Sequence, residues 1–268
     1  MLTSHPKIAI PPECGFAVWH AKKYEDWRVG DPRLDEFLAD LKSSRKIETW
    51  NLDYPRLKEK LLQGNPRSYS EVVSTVYEFF ASEFQPGANR WGDKNNFYLN
   101  HVGDLDRLFP KALFIHIVRD GRDVCCSYRD LQHADTKSPY APKLPVKPED
   151  VAREWTQNLS AIGDGLSKLD SRRVHELRYE DLLNAPESEL GRVCEFIGEP
   201  YSDTMLDYAE RNRRDGLEPT DFLAWKRLTL EPPDTQRAGR FRRELDPESI
   251  ARFNAIAAET LARFRYTL

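Results

Sequence analysis

Residues 108–128, LFPKALFIHIVRDGRDVCCSY, constrain the fold more than any other part of the chain. The apolar run at 112–118 is rich in β-branched residues and too short for a free-standing helix. Such a run is typical of a strand that is buried on both faces of a parallel sheet. Gly121 permits a sharp turn, and the residues from Asp123 onward suit a helix. Strand, tight turn and helix are half of a βαβ unit, so the stretch predicts an α/β fold.

The end of this strand also predicts an anion site. Open α/β sheets bind ligands beyond the carboxyl ends of their strands, and a helix start offers free N–H groups and a positive dipole end. Arg119 adds a rigid two-pronged donor suited to a phosphate, and Ser127 adds a hydroxyl on the same side of the helix. The alternative is a surface ion pair between Arg119 and Asp123. The pattern alone does not separate the two.

Composition excludes several classes of protein. A chain of 268 residues is long enough for one α/β domain or for two small ones. Its net charge of −4 argues against nucleic acid as a general partner. No apolar run approaches the roughly 20 residues that span a bilayer, and the first ten residues do not resemble a signal peptide. The four cysteines, at 14, 125, 126 and 194, show no metal-ligand spacing, so we expect no metal and buried free thiols in a reducing compartment.

Outside this stretch the pattern predicts further strands at residues 7–10 and 174–178. Helices are expected to begin near Leu34, Tyr54, Ser70, Pro186 and Pro247, with Ser70 as an N-cap. No repeat and no disordered linker interrupts these elements. A single domain is therefore the simplest account.

A segment with prolines at 139, 142, 145 and 148 stands apart because these residues are spaced three apart. This spacing favours a polyproline II ligand for a partner domain, which would make the chain an interaction protein. A stiff surface excursion over residues 135–150 that forms a lid near a bound substrate is the other interpretation.

The segment IVRDGRDVCCSY resembles the one with which sulfotransferases hold the 3′-phosphate of 3′-phosphoadenosine-5′-phosphosulfate (PAPS). In that family a strand-end arginine and a serine eight residues later grip the phosphate, and Arg119 and Ser127 have this spacing. Further segments follow in the family's order: HPKIAIPPECGF, WGDKNNFYLNHVGDLDRLFPKALFIHIVRDGRD, LRYEDLLNAPESELGRVCEFIGE and GRFRRELDPESIARF. The chain is most similar to bacterial sulfotransferases related to protein-tyrosine sulfotransferases, and the resemblance covers nearly all of it.

This resemblance implies an α/β fold with a P-loop-NTPase-like parallel sheet flanked by helices. Sulfotransferases begin with a strand and an Arg-Ser-Gly-Thr-Thr-like loop that cradles the 5′-phosphosulfate, and this sequence starts just past that point. We therefore expect one N-terminally truncated sulfotransferase domain over residues 1–268 that lacks the first strand and phosphate loop. A late start codon, a cut chain or loss of the site would explain the difference. Such a chain is expected to bind PAPS or its product PAP weakly and to turn over little.

The resemblance further implies direct in-line transfer of a sulfuryl group from PAPS to a hydroxyl or amine acceptor, without a metal. Glu13 falls where the tyrosine sulfotransferases place a general base, and Lys94 matches the lysine aimed at the departing phosphosulfate oxygen. These roles suit a reaction that must deprotonate the acceptor and stabilise charge on the leaving group. Without the resemblance, Glu13 is a turn carboxylate and Lys94 a solvated surface charge.

For the nucleotide, the resemblance places Tyr179 in the pocket wall. One of Arg240, Arg242 and Arg243 is expected to reach the 3′-phosphate, with Arg240 as the candidate, and a solvated charge cluster is the alternative. The acceptor is expected to be a small molecule or a peptide, and a homodimer is left open. Secretory tyrosine sulfotransferases carry a disulfide where Ile10 and Gly92 lie, which favours a cytoplasmic enzyme. The competing hypothesis is a non-catalytic homologue that acts as a nucleotide-binding or scaffold protein.

Overall fold

The structure, a computed structural model, describes residues 1–132, 138–216 and 218–268. They form two units, Met1–Ala112 (unit 1) and Leu113–Leu268 (unit 2). Each unit combines helices with one parallel pair of strands. This arrangement confirms the predicted mixed α/β class with parallel strands flanked by helices. The single domain over residues 1–268 stays a prediction.

Unit 1 is mostly helical around a very short sheet. Strands β1 (Ile8–Ala9) and β2 (Arg90–Trp91) pair in parallel, with Ile8 opposite Arg90 and Ala9 opposite Trp91. The helices are α1 (Phe16–Trp19), α2 (Leu34–Ser43), α3 (Tyr54–Gly64), α4 (Tyr69–Phe84) and α5 (Val102–Leu108). Shorter 3-10 turns cover Leu2–Ser4, Ile47–Trp50 and Asn96–Asn100. Each strand is therefore followed by a loop that can carry functional side chains.

Helix α4 supplies the apolar face that organises unit 1. Its buried side chains pack with aromatic residues from the earlier helices and turns, including Phe16, Tyr24, Phe37 and Trp50. The predicted N-cap at Ser70 was wrong. Ser68 takes that position because its backbone is extended and its hydroxyl accepts a hydrogen bond from Glu71 N at 3.3 Å.

Unit 2 has a longer parallel pair. Strand β3 (Phe114–Val118) lies beside β4 (Val174–Arg178), with Phe114 opposite Val174 and Val118 opposite Arg178. The helices are α6 (Gly121–Gln132), α7 (Pro148–Leu166), α8 (Tyr179–Asn184), α9 (Pro186–Ile197), α10 (Tyr208–Asp215), α11 (Leu223–Lys226), α12 (Phe241–Glu244) and α13 (Pro247–Arg263). Short 3-10 turns lie at Ser171–Arg173, Asp203–Met205, Thr220–Phe222, Arg227–Leu230 and Thr235–Arg237. The predicted strands and proline-initiated helices of this unit are confirmed.

The β3–α6 turn is built against the core of unit 2. Helices α6, α7 and α13 pack together, and their buried side chains surround Val118. A methyl group on Gly121 would lie 2.5 Å from Phe253 and 2.6 Å from Trp155, so glycine is needed here for close packing. The expectation that the strand is buried on both faces was wrong, since Ile117 is 53% exposed. The packed helices cover the face of Val118 and leave that of Ile117 open.

Other expectations can be compared directly with the described residues. The four cysteines are free and buried, as predicted. No helix within the described ranges combines the length and apolarity needed to cross a bilayer. Of the proline segment, residues 135–137 lie outside the described residues. Residues 138–147 form neither helix nor strand, and Pro148 begins α7.

Candidate active site

In unit 1 the parallel pairing of β1 and β2 brings Glu13 to Lys94, although 81 residues separate them in the chain. Each residue follows the carboxyl end of its strand by a few positions, and such ends meet at one edge of a parallel sheet. Lys94 Nζ donates a hydrogen bond to Glu13 Oε1. The two residues that were assigned complementary roles in proton acceptance and charge stabilisation are therefore in contact.

A second lysine completes what we call the carboxylate cluster, Glu13, Lys46 and Lys94. Lys46 Nζ lies 3.0 Å from Glu13 Oε2, so each oxygen of the carboxylate is bound by a different cation. The Glu13 side chain is only 14% exposed, whereas that of Lys94 is 63% exposed. The carboxylate of Glu13 is therefore largely shielded from solvent, and its role as a general base stays a prediction.

Asp93, the neighbour of Lys94, lies in a tyrosine network. Its Oδ2 accepts hydrogen bonds from Tyr98 and, at 2.5 Å, from Tyr77. Its Oδ1 is buried without a hydrogen-bond partner among the described residues. Burial raises the pKa of Asp93 to about 6, against the opposing effect of the two tyrosine hydroxyls and Lys94. This carboxyl therefore anchors the Lys94 loop to α4 and changes charge close to neutral pH.

Aromatic side chains and a thiol follow Glu13 and Lys94 closely in the chain. Trp19 and Phe97 are 41% and 36% exposed, with ring centroids 5.8 Å apart. Cys14 follows Glu13 directly, but burial raises the pKa of its thiol to about 12. A thiol kept protonated in this way is a poor nucleophile, which favours the carboxylate as the reacting group of this loop.

In unit 2 the turn between β3 and α6 is held by two buried carboxylates. Asp120 accepts hydrogen bonds from the backbone N–H of Arg122 at 2.9 Å and from its guanidinium, so one free N–H of the helix start is already bound. Asp123 is buried and accepts from Gly239 N and Phe241 N. A surface ion pair between Arg119 and Asp123 was therefore the wrong interpretation. The carboxylate of Asp123 instead fixes the C-terminal segment to α6.

Arg119 forms the centre of an arginine cluster with Ser127, Tyr179 and Arg237. Its Nη1 donates to Ser127 Oγ at 2.9 Å and its Nη2 to the Arg237 carbonyl at 3.3 Å. The guanidinium carbon lies 4.7 Å from the centre of the Tyr179 ring. The side chain is partly buried rather than directed into bulk water. The spacing of Arg119, just before α6, and Ser127, on α6, thus places the two polar groups in direct contact.

The electrostatics of this cluster are unbalanced. Burial lowers the pKa of Arg119. Electrostatic interactions with Tyr179 and Asp123 oppose this change, whereas the charges of Arg237 and Arg240 lower the pKa further. The Nε atoms of Arg119 and Arg237 are buried and find no acceptor among the described residues. A buried N–H donor without an acceptor is costly. A bound anion would supply the missing acceptor.

Arg240 occupies a different environment. Its side chain is 7% exposed and its Nη2 lies 2.6 Å from Asp130 Oδ2, with Glu244 at 3.7 Å. The three arginines that were considered for the 3′-phosphate did not include Arg237, which is the one whose carbonyl contacts Arg119. The role of Arg240 toward a nucleotide stays a prediction.

A cavity of about 210 Å³ lies on the other side of the β3–α6 turn. Its lining includes Asp120, Arg122, Arg178 and Glu180, but none of the six predicted site residues. The carboxylates here are already bound, Asp120 by Arg122 and Glu180 by Asp120 N and Tyr266. These charges stabilise the turn.

Two residues of these clusters were missed from the sequence. Lys46 contacts the carboxylate of Glu13, which lies 33 positions away in the chain. The carbonyl of Arg237 contacts the guanidinium of Arg119, which lies 118 positions away. Neither contact has a local pattern that would reveal it. In contrast, the proximity of Ile10 and Gly92 agrees with the family correspondence, since a methyl group on Gly92 would lie 3.4 Å from Ile10 Cγ1. No group of three or more described His, Cys, Asp or Glu side chains is arranged to hold a metal.

Comparison with known proteins settles the family. The model of the sulfotransferase family, Sulfotransfer_3, matches residues 1–203. The chain belongs to the sulfotransferase family. It is similar to protein-tyrosine sulfotransferase A of Caenorhabditis elegans, with 24% identity over 150 residues that cover 52% of this chain and 37% of that protein.

A second relative is the omega-hydroxy-beta-dihydromenaquinone-9 sulfotransferase Stf3 of Mycobacterium bovis. It is 32% identical over 107 residues, which cover 39% of this chain and 28% of that protein. The chain thus aligns with well under half of the length of these two relatives.

Two solved structures share the fold of this sulfotransferase chain. One is the sulfotransferase domain from the curacin biosynthetic pathway, with a TM-score of 0.59, 18% identity and coverage of 100% of this chain and 92% of that one. The other is the sulfotransferase domain from the Synechococcus PCC 7002 olefin synthase, with a TM-score of 0.58, 19% identity and coverage of 100% and 88%. These likenesses agree with the P-loop-like fold that was predicted.

Proposed function

We propose that this protein transfers a sulfuryl group from PAPS to a hydroxyl or amine acceptor by direct in-line displacement. The observation that carries the proposal is the contact of Glu13 with Lys94 at the strand ends of unit 1. A carboxylate beside a mobile cation can accept a proton and then release the cation to a developing negative charge. Membership of the sulfotransferase family supports this chemistry.

The proposed step is balanced as follows. The acceptor oxygen or nitrogen forms a bond to sulfur as the bond from sulfur to the bridging oxygen of the 5′-phosphate breaks. The acceptor proton passes to the Glu13 carboxylate, and the electron pair of the broken bond stays on the phosphate of PAP, where Lys94 stabilises it. No covalent enzyme intermediate is required, since positioning and charge stabilisation are sufficient for such a transfer.

We assign recognition of the donor's 3′-phosphate to the arginine cluster of unit 2. Arg119 presents donors next to the Ser127 hydroxyl, and the buried Nε atoms of Arg119 and Arg237 lack acceptors among the described residues. A phosphate dianion would satisfy these donors and balance their charge. The Tyr179 ring beneath the guanidinium would form one wall of the nucleotide site.

The acceptor is proposed to be a small molecule or a peptide with an apolar or aromatic part. The exposed rings of Trp19 and Phe97, on the helical turns that follow Glu13 and Lys94, support such an acceptor. A cytoplasmic location and a homodimer stay predictions.

The test is a transfer assay with sulfur-labelled PAPS and a panel of phenols, alcohols and amines, together with calorimetric titration of PAP. It should use the longest chain that the reading frame encodes. Transfer of label with micromolar binding of PAP is expected. Binding of PAP without transfer to any acceptor would instead favour the non-catalytic homologue, and the absence of both would contradict the proposal.

A further inference from the structure

We propose that Lys46 is a positioning residue for Glu13. Lys46 holds one oxygen of the Glu13 carboxylate while the other oxygen receives the acceptor proton. This inference rests on the proposed function. Lys46 Nζ lies 3.0 Å from Glu13 Oε2, on the oxygen that Lys94 does not contact. The side chain of Lys46 is 20% exposed and that of Lys94 is 63% exposed. Lys94 is therefore the cation that is free to leave, and Lys46 the one that stays.

The backbone around Lys46 supports a fixed position. Lys46 has φ 73° and ψ −4°, a left-handed conformation that is uncommon in residues other than glycine and asparagine. Its carbonyl accepts hydrogen bonds from Thr49 N at 3.1 Å and Thr49 Oγ1 at 2.7 Å. The following turn ends at the fully buried Trp50, whose Nε1 donates to the Pro12 carbonyl at 2.8 Å. The lysine and the residue before Glu13 are thus tied together independently of the salt bridge.

The different roles of Lys46 and Lys94 follow from what a general base requires. The carboxylate must be ionised, oriented and open at one oxygen. While both cations are bound, neither oxygen is open. When Lys94 turns to the leaving oxygen, Oε1 becomes available and Lys46 keeps Oε2 in place. A single lysine cannot do both.

The other charges near this loop make the second cation more important. Besides burial, the negative charges of Asp93 and Glu48 raise the pKa of Cys14, the neighbour of Glu13, and the positive charge of Lys46 lowers it. At Cys14 the positive charge of Lys46 thus offsets these carboxylates. Without it, Glu13 would hold a proton at higher pH.

The test compares three substitutions at position 46. Lys46→Gly removes the amine and suits the positive φ, so this variant is expected to melt at or above the wild-type temperature. Lys46→Met removes only the charge, and Lys46→Arg keeps it. For the first two, kcat is expected to fall about tenfold and the acid limb of its pH profile to move up by about one pH unit. PAP affinity should be unchanged, and Lys46→Arg should restore most of kcat.

The matched control is Lys22→Met, because Lys22 also pairs with a glutamate in unit 1 but is 89% exposed. An unchanged pH profile in Lys46→Met would overturn the inference. So would a loss of kcat that is matched by an equal loss of PAP affinity, since this would indicate a structural role.

A measurement that needs no turnover separates this inference from the proposed function. The ¹³C carboxyl resonance of Glu13, assigned by its loss in Glu13→Gln, is titrated in wild type and in Lys46→Met. The midpoint is expected to move up by about one pH unit in the variant. An unmoved midpoint overturns the role of Lys46 even in an active enzyme. A moved midpoint in a protein that transfers no label supports the coupling and contradicts the proposed function alone.

Discussion

The carboxylate cluster of unit 1 and the arginine cluster of unit 2 differ in what their charged groups contact. In unit 1 one partly buried carboxylate is bound by two lysines. In unit 2 the positive charges of Arg237 and Arg240 act on Arg119, whose side chain contacts a hydroxyl, a carbonyl and a ring. A carboxylate with a cation on each oxygen can accept a proton only when one cation moves, which suits a catalytic step. A cluster with surplus charge is stabilised when an anion arrives, which suits binding.

Glu13→Gln is the most direct test of this difference between the two clusters, because the amide keeps the shape of the carboxylate but cannot accept a proton. We expect kcat to fall by about 10³-fold while PAP affinity, assigned to unit 2, stays within twofold. Steady-state assays and calorimetry give the two values. Glu25→Gln, at an exposed lysine pair in the same unit, is the control. Full turnover in Glu13→Gln would make Glu13 a structural carboxylate.

The complementary change in unit 2 is Arg119→Met. It removes the guanidinium that contacts Ser127 and Tyr179, and PAP affinity is expected to fall about 100-fold by calorimetry. The melting temperature should change little, since burial already disfavours the charge that is lost. Arg172→Met, which removes an exposed arginine paired with Asp170, should alter neither value. Unchanged PAP affinity in Arg119→Met would contradict the assignment of the arginine cluster.

The two clusters also differ in how far the sequence could predict them. Arg119 and Ser127 lie within one strand–turn–helix segment, so local periodicity and spacing were enough to place them together. Glu13 and Lys94 meet only because β1 and β2 are neighbours, which the family resemblance implied and local pattern did not. Lys46 and Arg237 were missed because their contacts depend on how distant loops pack.

Local rules failed where tertiary contacts were decisive. Asp123 reads as a surface residue of a helix start, but it is buried by the C-terminal segment that its carboxylate binds. Ile117 reads as core, but the packed helices of unit 2 cover only the other face of β3. The longer helices and the strands β3 and β4 were predicted correctly because they depend on periodicity within short segments.

The carboxyl of Asp93, next to Lys94, allows a test of folding stability rather than of activity. Burial raises its pKa to about 6, so the folded state favours the neutral acid. The stability that it contributes is complete below its unfolded pKa, near 3.9, and is lost as pH rises through 6. Asp93→Asn carries no charge at any pH, and its amide oxygen can still accept from Tyr77 and Tyr98. We therefore expect the variant to exceed wild type in free energy of unfolding by about 3 kcal/mol at pH 8.

The same difference between Asp93→Asn and wild type should shrink at pH 4, where the native carboxyl is also neutral. Urea denaturation at the two pH values measures it. Asp35→Asn, at a carboxylate that is 76% exposed and paired with Lys58, is the control and should show no such dependence. A difference that does not change with pH would mean that Asp93 is not charged in the fold at pH 8, or that its charge costs nothing there.

The smallest effect separates Arg237, in the arginine cluster, from Arg240, which lies outside it. Both have a buried Nε without a hydrogen-bond acceptor among the described residues, but Arg240 is in addition paired with Asp130. Arg237→Met is therefore expected to weaken PAP binding about tenfold with little change in stability. Arg240→Met should cost about 1 kcal/mol of stability, because it leaves Asp130 and Glu244 without their cation, and should weaken PAP binding less. The opposite ranking in calorimetry and urea denaturation would identify Arg240 as the phosphate ligand and Arg237 as the structural residue.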